Sequence, residues 1–279
     1  MTQAEALIKL IKKWAKDQDD IRLMILYGSY AHKGKTDALS DVDLILFTAY
    51  PEKYLEDESW WVEFAPVWLT LTLQEKSLYQ RTVIYDGGVM VEFNFYPLAS
   101  LERFHLSLPS ELEPGYKVLV DKEKQAKDLP KPGGKPIPPS TPSPEELHHT
   151  IAAFWKDAYL LAKYLRRNEL WRAKHYDWAS KQHLLQMLSW HTLICRHQKN
   201  FSSFQGKGLR EWSTPDTYLG LMNAFGRFYP ADSWRALEET AKVFTALSDE
   251  VAKAMGTDSR GELVKIFTTW FGSLKDQAE

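Results

Sequence analysis

A proline-rich run divides this chain and limits what each side of it can fold into. Seven of the chain's 14 prolines lie in residues 130–144, PKPGGKPIPPSTPSP. Proline has no amide hydrogen to donate and fixes its own backbone angle, so such a run can neither form a helix nor join the interior of a sheet. We therefore predict two domains, residues 1–129 and 145–279, joined by an extended linker at residues 130–144.

The two halves carry different hydrophobic patterns. Apolar residues at helical spacing predict a helix over residues 3–17, and four apolar or alternating runs predict strands. The predicted strands are 21–27, 44–47, 67–73 and 89–96. After the linker, Ser143 is placed to cap a helix that starts at a proline, and apolar residues then recur at helical spacing to about residue 254. The sequence thus predicts an α+β fold with a C-terminal helical bundle.

The chemistry-bearing segment lies around the first strand. Gly28 and Ser29 follow that strand, and Asp41 and Asp43 precede a second apolar run, residues 44–47. Glycine lets the backbone approach a ligand, and a serine hydroxyl with nearby amides can hold a phosphate. The two carboxylates share a strand face, and their mutual repulsion favours a divalent cation such as Mg²⁺ between them. The alternative is a polar hairpin, in which Gly-Ser ends one strand and Asp41 caps the next.

A third carboxylate stands inside an apolar strand. Glu92 occurs in the run VMVEFNFY, where burial of a carboxylate without a partner would be costly. It is either an edge-strand glutamate that faces water or a third acidic group on a strand beside Asp41 and Asp43.

The segment GSYAHKGKTDALSDVDLILF, residues 28–47, resembles the signature of the nucleotidyltransferase superfamily and of its aminoglycoside 6-adenylyltransferase (streptomycin adenylyltransferase) branch. Residues 154–190 are similar to the characteristic helices of that branch, and GKGLREW is similar to its Gly-Lys motif, so the resemblance spans roughly residues 5–255. It implies an N-terminal nucleotidyltransferase domain with a mixed β-sheet flanked by helices, followed by the helical bundle.

The resemblance implies an enzyme that transfers AMP from ATP to a hydroxyl of a streptomycin-type antibiotic, which confers resistance, and that releases pyrophosphate. The catalytic residues and ligands of two Mg²⁺ ions would be Asp41, Asp43 and Glu92, with Glu92 also the general base. The nucleotide-binding residues would be Gly28, Ser29 and Lys207. Lys207 lies between two glycines, and the alternative for it is an ordinary lysine of a surface loop.

An aminoglycoside is polycationic, so its pocket should carry acidic and aromatic groups. The candidates are Asp177, Trp178 and, less strongly, Asp86, and the alternative for all three is an ordinary surface position. Two other functions stay open at this stage. One is adenylyl transfer to another small hydroxyl compound or to a protein, and the other is a non-catalytic nucleotide-binding module.

Composition excludes several further classes of protein. The formal charge of −2 offers no basic surplus for nucleic acid, and no apolar stretch reaches the length of a membrane span. The single cysteine, Cys195, rules out an internal disulfide and fits a reducing cytoplasm. The eight histidines show no spacing typical of a zinc site, so we assign them to the surface or the core. We expect a cytoplasmic monomer or homodimer.

Overall fold

The computed structural model describes residues 1–32, 36–135 and 137–276. Residues 33–35 of the quoted Gly-Ser motif and Pro136 of the predicted linker lie outside the described residues. The chain separates into two compact units, Met1–Pro136 and Ile137–Glu279. The division falls within residues 130–144, the range predicted as a linker.

The first unit is built on a six-stranded mixed sheet. Its strands are β1 (Ile21–Tyr27), β2 (Val42–Thr48), β3 (Val67–Glu75), β4 (Leu78–Tyr85), β5 (Val89–Pro97) and β6 (Lys117–Asp121). They lie in the order β3-β4-β5-β2-β1-β6, with β2 and β5 parallel and the other neighbouring pairs antiparallel. The helices of this unit are α1 (Gln3–Asp17), α2 (Lys53–Glu56) and α3 (Leu101–Leu106). The mixed sheet flanked by helices confirms the predicted fold class.

The two faces of the sheet have separate cores because side chains alternate along each strand. One face packs against α1 through residues such as Leu44 of β2 and Phe93 of β5. On the other face, Phe47 of β2 meets Phe104 of α3 with ring centroids 4.9 Å apart. At the start of β2 this second face carries the half-buried Asp43 instead of an apolar residue. The apolar cover of the second face therefore gives way to polar groups at this end of the sheet.

The second unit is helical. Its helices are α4 (Pro144–Arg166), α5 (Leu170–Ile194), α6 (Leu209–Trp212), α7 (Pro215–Ala224), α8 (Pro230–Met255) and α9 (Gly261–Asp276). Helix α4 begins as the sequence predicts: the Ser143 hydroxyl accepts a hydrogen bond from the Glu146 amide, and the Glu146 carboxylate accepts one from the Ser143 amide. Helices α4 and α8 pack through stacked Phe154 and Phe244. The predicted C-terminal helical bundle is confirmed.

None of the helices in the described part of the chain combines the length and the apolar composition that crossing a membrane requires.

A half-buried carboxylate, that of Asp20, ties the far end of β2 to the start of β1. Asp20 accepts hydrogen bonds from the Thr48 hydroxyl at 2.6 Å and the Tyr54 hydroxyl at 2.9 Å, and it pairs with the Lys53 ammonium at 3.3 Å. Burial opposes ionisation of Asp20, but these three contacts outweigh burial and hold its pKa below the ordinary value of 3.8.

We expect Asp20→Asn to lower the free energy of unfolding at pH 7 by about 1.5–3 kcal/mol, the range for hydrogen bonds to a charged group. Because the pKa of Asp20 is lowered on folding, its contribution is present above pH 3.8 and is lost as the pH falls through the folded-state pKa. Urea unfolding at pH 7, 5 and 3 should therefore show the difference shrinking below pH 3.8. The exposed neighbour substitution Asp19→Asn is the control, and a difference that stays constant with pH would contradict this account.

Candidate active site

A row of four side chains crosses the second face of the sheet at the start of β2. The strand registers place Tyr27 opposite Asp43, Asp43 beside Glu92, and Glu92 opposite Thr82. Neighbouring strands lie about 4.8 Å apart, so the carboxylates of Asp43 and Glu92 leave adjacent positions on the same face. Strand β5 lies between β4 and β2, so Glu92 is not an edge-strand glutamate.

Asp41 completes the acidic group. It lies two residues before Asp43 and is exposed, just ahead of β2. Burial raises the pKa of Glu92, and the nearby charge of Asp41 raises it further. This repulsion between carboxylates is what a bound cation would offset, and carboxylate oxygens are the ligands that Mg²⁺ prefers. The donor set therefore fits the predicted metal.

The Gly-Ser turn contacts this acidic group directly. A 3₁₀ turn, Gly28–Ala31, follows β1, and Gly28 has a φ of +67°, in the left-handed region. A Cβ atom at Gly28 would overlap the Oδ2 atom of Asp43, so only glycine lets the turn come this close. The Lys117 ammonium of β6 donates a hydrogen bond to the carbonyl oxygen of Tyr30 at 2.7 Å and so fixes the turn. Ser29 is half-buried within it.

Two residues of this face were not singled out by the sequence. Asn94 is 5 % exposed, donates a hydrogen bond to the Tyr27 hydroxyl at 3.2 Å and accepts one from the Gln80 amide at 2.9 Å. Burial raises the pKa of Tyr27, and the charges of Asp43 and Glu92 raise it further, so its phenol stays protonated. The available signal was alternation, since Asn94 is polar and two residues beyond Glu92 in an apolar strand.

The predicted nucleotide-binding lysine lies in the second unit. Lys207 is exposed between Gly206 and Gly208, which have φ values of +74° and +65°. Its carbonyl oxygen accepts a hydrogen bond from the Trp212 indole at 2.8 Å. The loop backbone is thus held in place at an exposed position, and the role of Lys207 stays a prediction.

The three predicted acceptor-binding residues are not gathered in one element. Asp177 of α5 forms an ion pair with the buried Lys181 at 2.5 Å, whereas its neighbour Trp178 is 61 % exposed. Asp86 lies in the turn between β4 and β5, where its carboxylate accepts a hydrogen bond from the Trp68 indole at 3.1 Å. Asp86 thus belongs to the first unit and the other two to the second.

The mixed sheet carries a Gly-Ser turn against one carboxylate, a second carboxylate two residues upstream and a third on the adjacent parallel strand. This is the pattern of a nucleotidyltransferase. A family model described as streptomycin adenylyltransferase matches residues 1–270. The chain therefore belongs to the streptomycin adenylyltransferase family. The predicted family and the predicted class of enzyme, a nucleotidyltransferase, are confirmed.

Individual relatives are distant in sequence. An aminoglycoside 6-adenylyltransferase from Staphylococcus aureus is 22% identical over 201 residues, which cover 68% of this chain and 70% of the relative. The solved structure of an aminoglycoside 6-adenyltransferase from Bacillus subtilis is 16% identical, with a TM-score of 0.47 and 99% of both chains covered. A nucleotidyltransferase-like protein from Exiguobacterium sibiricum is 10% identical, with a TM-score of 0.36, and the match covers 90% of this chain and 77% of that one.

We expect Gly28→Ala to reduce adenylyl transfer roughly 100-fold, because the new methyl group displaces the Asp43 carboxylate. Gly256→Ala is the matched control: Gly256 has the same φ of +67°, and a Cβ there meets nothing within 4 Å. Both variants should lose about 1–2 kcal/mol of stability to left-handed backbone strain, but only Gly28→Ala should lose activity. Equal rates for the two variants would show that the contact with Asp43 does not matter for the reaction.

Proposed function

We propose that this protein catalyses the Mg²⁺-dependent transfer of AMP from ATP to a hydroxyl of a streptomycin-type aminoglycoside, with release of pyrophosphate. Membership of the streptomycin adenylyltransferase family supports the class of reaction, adenylyl transfer. The observation that supports the chemistry in this chain is the in-register pairing of Asp43 with Glu92 on parallel strands, beside the Gly28 turn. A non-catalytic nucleotide-binding module would not need that pairing.

Asp41, Asp43 and Glu92 would hold the metal, because they are three hard oxygen donors that converge at one end of the sheet. When bound, Mg²⁺ supplies positive charge that offsets the charge developing on the phosphate oxygens. The Gly28 turn offers backbone amides and the Ser29 hydroxyl to the β- and γ-phosphates. Phosphoryl transfer needs mainly this positioning and charge stabilisation, so no protein nucleophile is required.

Glu92 also has the properties of a general base. Burial raises the pKa of Glu92, so its carboxylate holds a proton more tightly than an ordinary glutamate does, whereas bound metal would offset the added effect of the Asp41 charge. Glu92 would accept the proton of the acceptor hydroxyl as that oxygen bonds to the α-phosphorus and the bond from the α-phosphorus to pyrophosphate breaks. Tyr27, held protonated beside this pair, would keep its phenolic hydrogen throughout.

We expect mass spectrometry to detect the addition of one AMP to a streptomycin-type compound in an aminoglycoside panel incubated with enzyme, ATP and Mg²⁺. Asp43→Asn should lower kcat at least 100-fold with an unchanged melting temperature, because it removes a negatively charged metal ligand. Glu75→Gln, an exposed carboxylate at the end of β3, is the matched control and should keep full activity.

AMP transfer to another hydroxyl compound but to no aminoglycoside would replace the proposed acceptor and leave the chemistry intact. Binding of ATP without transfer to any acceptor would instead favour the non-catalytic module.

Lys207 would supply positive charge to the triphosphate. We expect Lys207→Ala to raise KM for ATP on the order of tenfold, about 1.4 kcal/mol, with little change in KM for the acceptor. Steady-state kinetics with each substrate varied in turn make the measurement. Lys199→Ala, at another exposed lysine of the second unit, is the control, and an equal effect in the two variants would assign Lys207 to the ordinary protein surface.

A further inference from the structure

A histidine, a cysteine and a glutamate meet where α5 ends against α8. His191 and Cys195 are four residues apart, so one helical turn places them on the same face of α5, and Glu250 comes from α8. One ligand atom from each, a ring nitrogen, a sulfur and a carboxylate oxygen, lies within 4.8 Å of the other two. The cluster belongs to the second unit and involves none of the residues assigned to adenylyl transfer.

The buried histidine of this cluster, His191, has one ring nitrogen without a hydrogen-bond partner in the described part of the chain. The His191 side chain is 7 % exposed, and its Nε2 atom lies 2.7 Å from the Glu250 carboxylate. Its Nδ1 atom is buried and has no hydrogen-bond partner within the described residues. An unpaired buried polar atom costs free energy, and the contact with Glu250 satisfies only one of the two ring nitrogens of His191.

We propose that His191, Cys195 and Glu250 form a zinc site. Nitrogen and thiolate sulfur are the ligands that Zn²⁺ prefers, whereas Mg²⁺ prefers oxygen. Zn²⁺ would therefore bind this cluster, and Mg²⁺ would bind the carboxylates of the first unit. Three protein ligands leave a fourth tetrahedral position for water. His191, the inner ligand, is held in place by its burial. Glu250, the outer ligand, has a side chain that is 63 % exposed, which leaves a path for the ion to enter.

The distances allow binding after a small movement. Zinc bonds of about 2.0–2.3 Å at tetrahedral angles place ligand atoms roughly 3.4–3.6 Å apart. The contact between His191 and Glu250 at 2.7 Å is shorter than this, and the other separations reach at most 4.8 Å. Glu250 can make the adjustment because its side chain is mostly in solvent. Binding would then link the end of α5 to α8.

The presence of only one cysteine makes a direct test available, because any thiolate signal must come from Cys195. Full-length protein without tag histidines, stripped of metal with a chelator, is titrated with Co²⁺. We expect a sulfur-to-cobalt charge-transfer band that saturates at one equivalent and is displaced by Zn²⁺ but not by Mg²⁺. Cys195→Ser should abolish the band.

His191→Gln and Glu250→Gln should each weaken Co²⁺ binding at least tenfold. His183→Gln is the matched control, because His183 lies on the same helix but pairs with Asp157. In the unaltered protein, Zn²⁺ should slow alkylation of Cys195 at least tenfold, which tests the site even if a variant fails to fold. Absence of the charge-transfer band, or affinity unchanged in both His191→Gln and Glu250→Gln, would overturn the proposal.

Discussion

The parallel register between β2 and β5 is the constraint on which the acidic site depends. It pairs Asp43 with Glu92 and, one position further, Leu44 with Phe93. A slip of one residue would move Glu92 to the face where Leu44 and Phe93 form the core with α1. Burying a carboxylate there would cost several kcal/mol, whereas the observed register leaves it at the partly exposed end of the other face. The apolar core therefore sets the geometry of the site.

Much of the first unit follows from local sequence, and the exception has a physical cause. The bounds of α1 and β1 follow directly from apolar spacing, but β4 was not predicted. Arg81 interrupts the apolar pattern of β4, yet it is 1 % exposed. Its guanidinium donates hydrogen bonds to the carbonyl oxygens of Tyr54 and Leu55 in α2. A buried charge satisfied by a segment 26 residues away cannot be recognised from local periodicity.

The sites show the same limit. The spacing of Asp41 and Asp43 and the position of Glu92 in an apolar strand were visible in the sequence, because they depend on alternation along single strands. The close approach of Gly28 to Asp43, which leaves no room for a Cβ atom at residue 28, depends on the turn that follows β1. The spacing of residues in the sequence does not predict this approach. His191 and Glu250 are 59 residues apart on different helices, so neither suggests the other until α5 and α8 are packed together.

The surroundings of Asp177 bear on how a polycationic acceptor could be recognised. Burial lowers the pKa of Lys181, and the Asp177 carboxylate, 2.5 Å from the Lys181 ammonium, counteracts that effect. The Lys174 ammonium lies 3.8 Å from the same carboxylate. One carboxylate between two lysines gives this cluster no net negative charge, so these three side chains alone would not attract a polycation. Trp171 and Trp178 of the same helix are exposed, and an indole face attracts ammonium groups without a carboxylate. For the proposed aminoglycoside acceptor, the exposed indoles of this helix are therefore further candidate contacts, and the role of Asp177 stays a prediction.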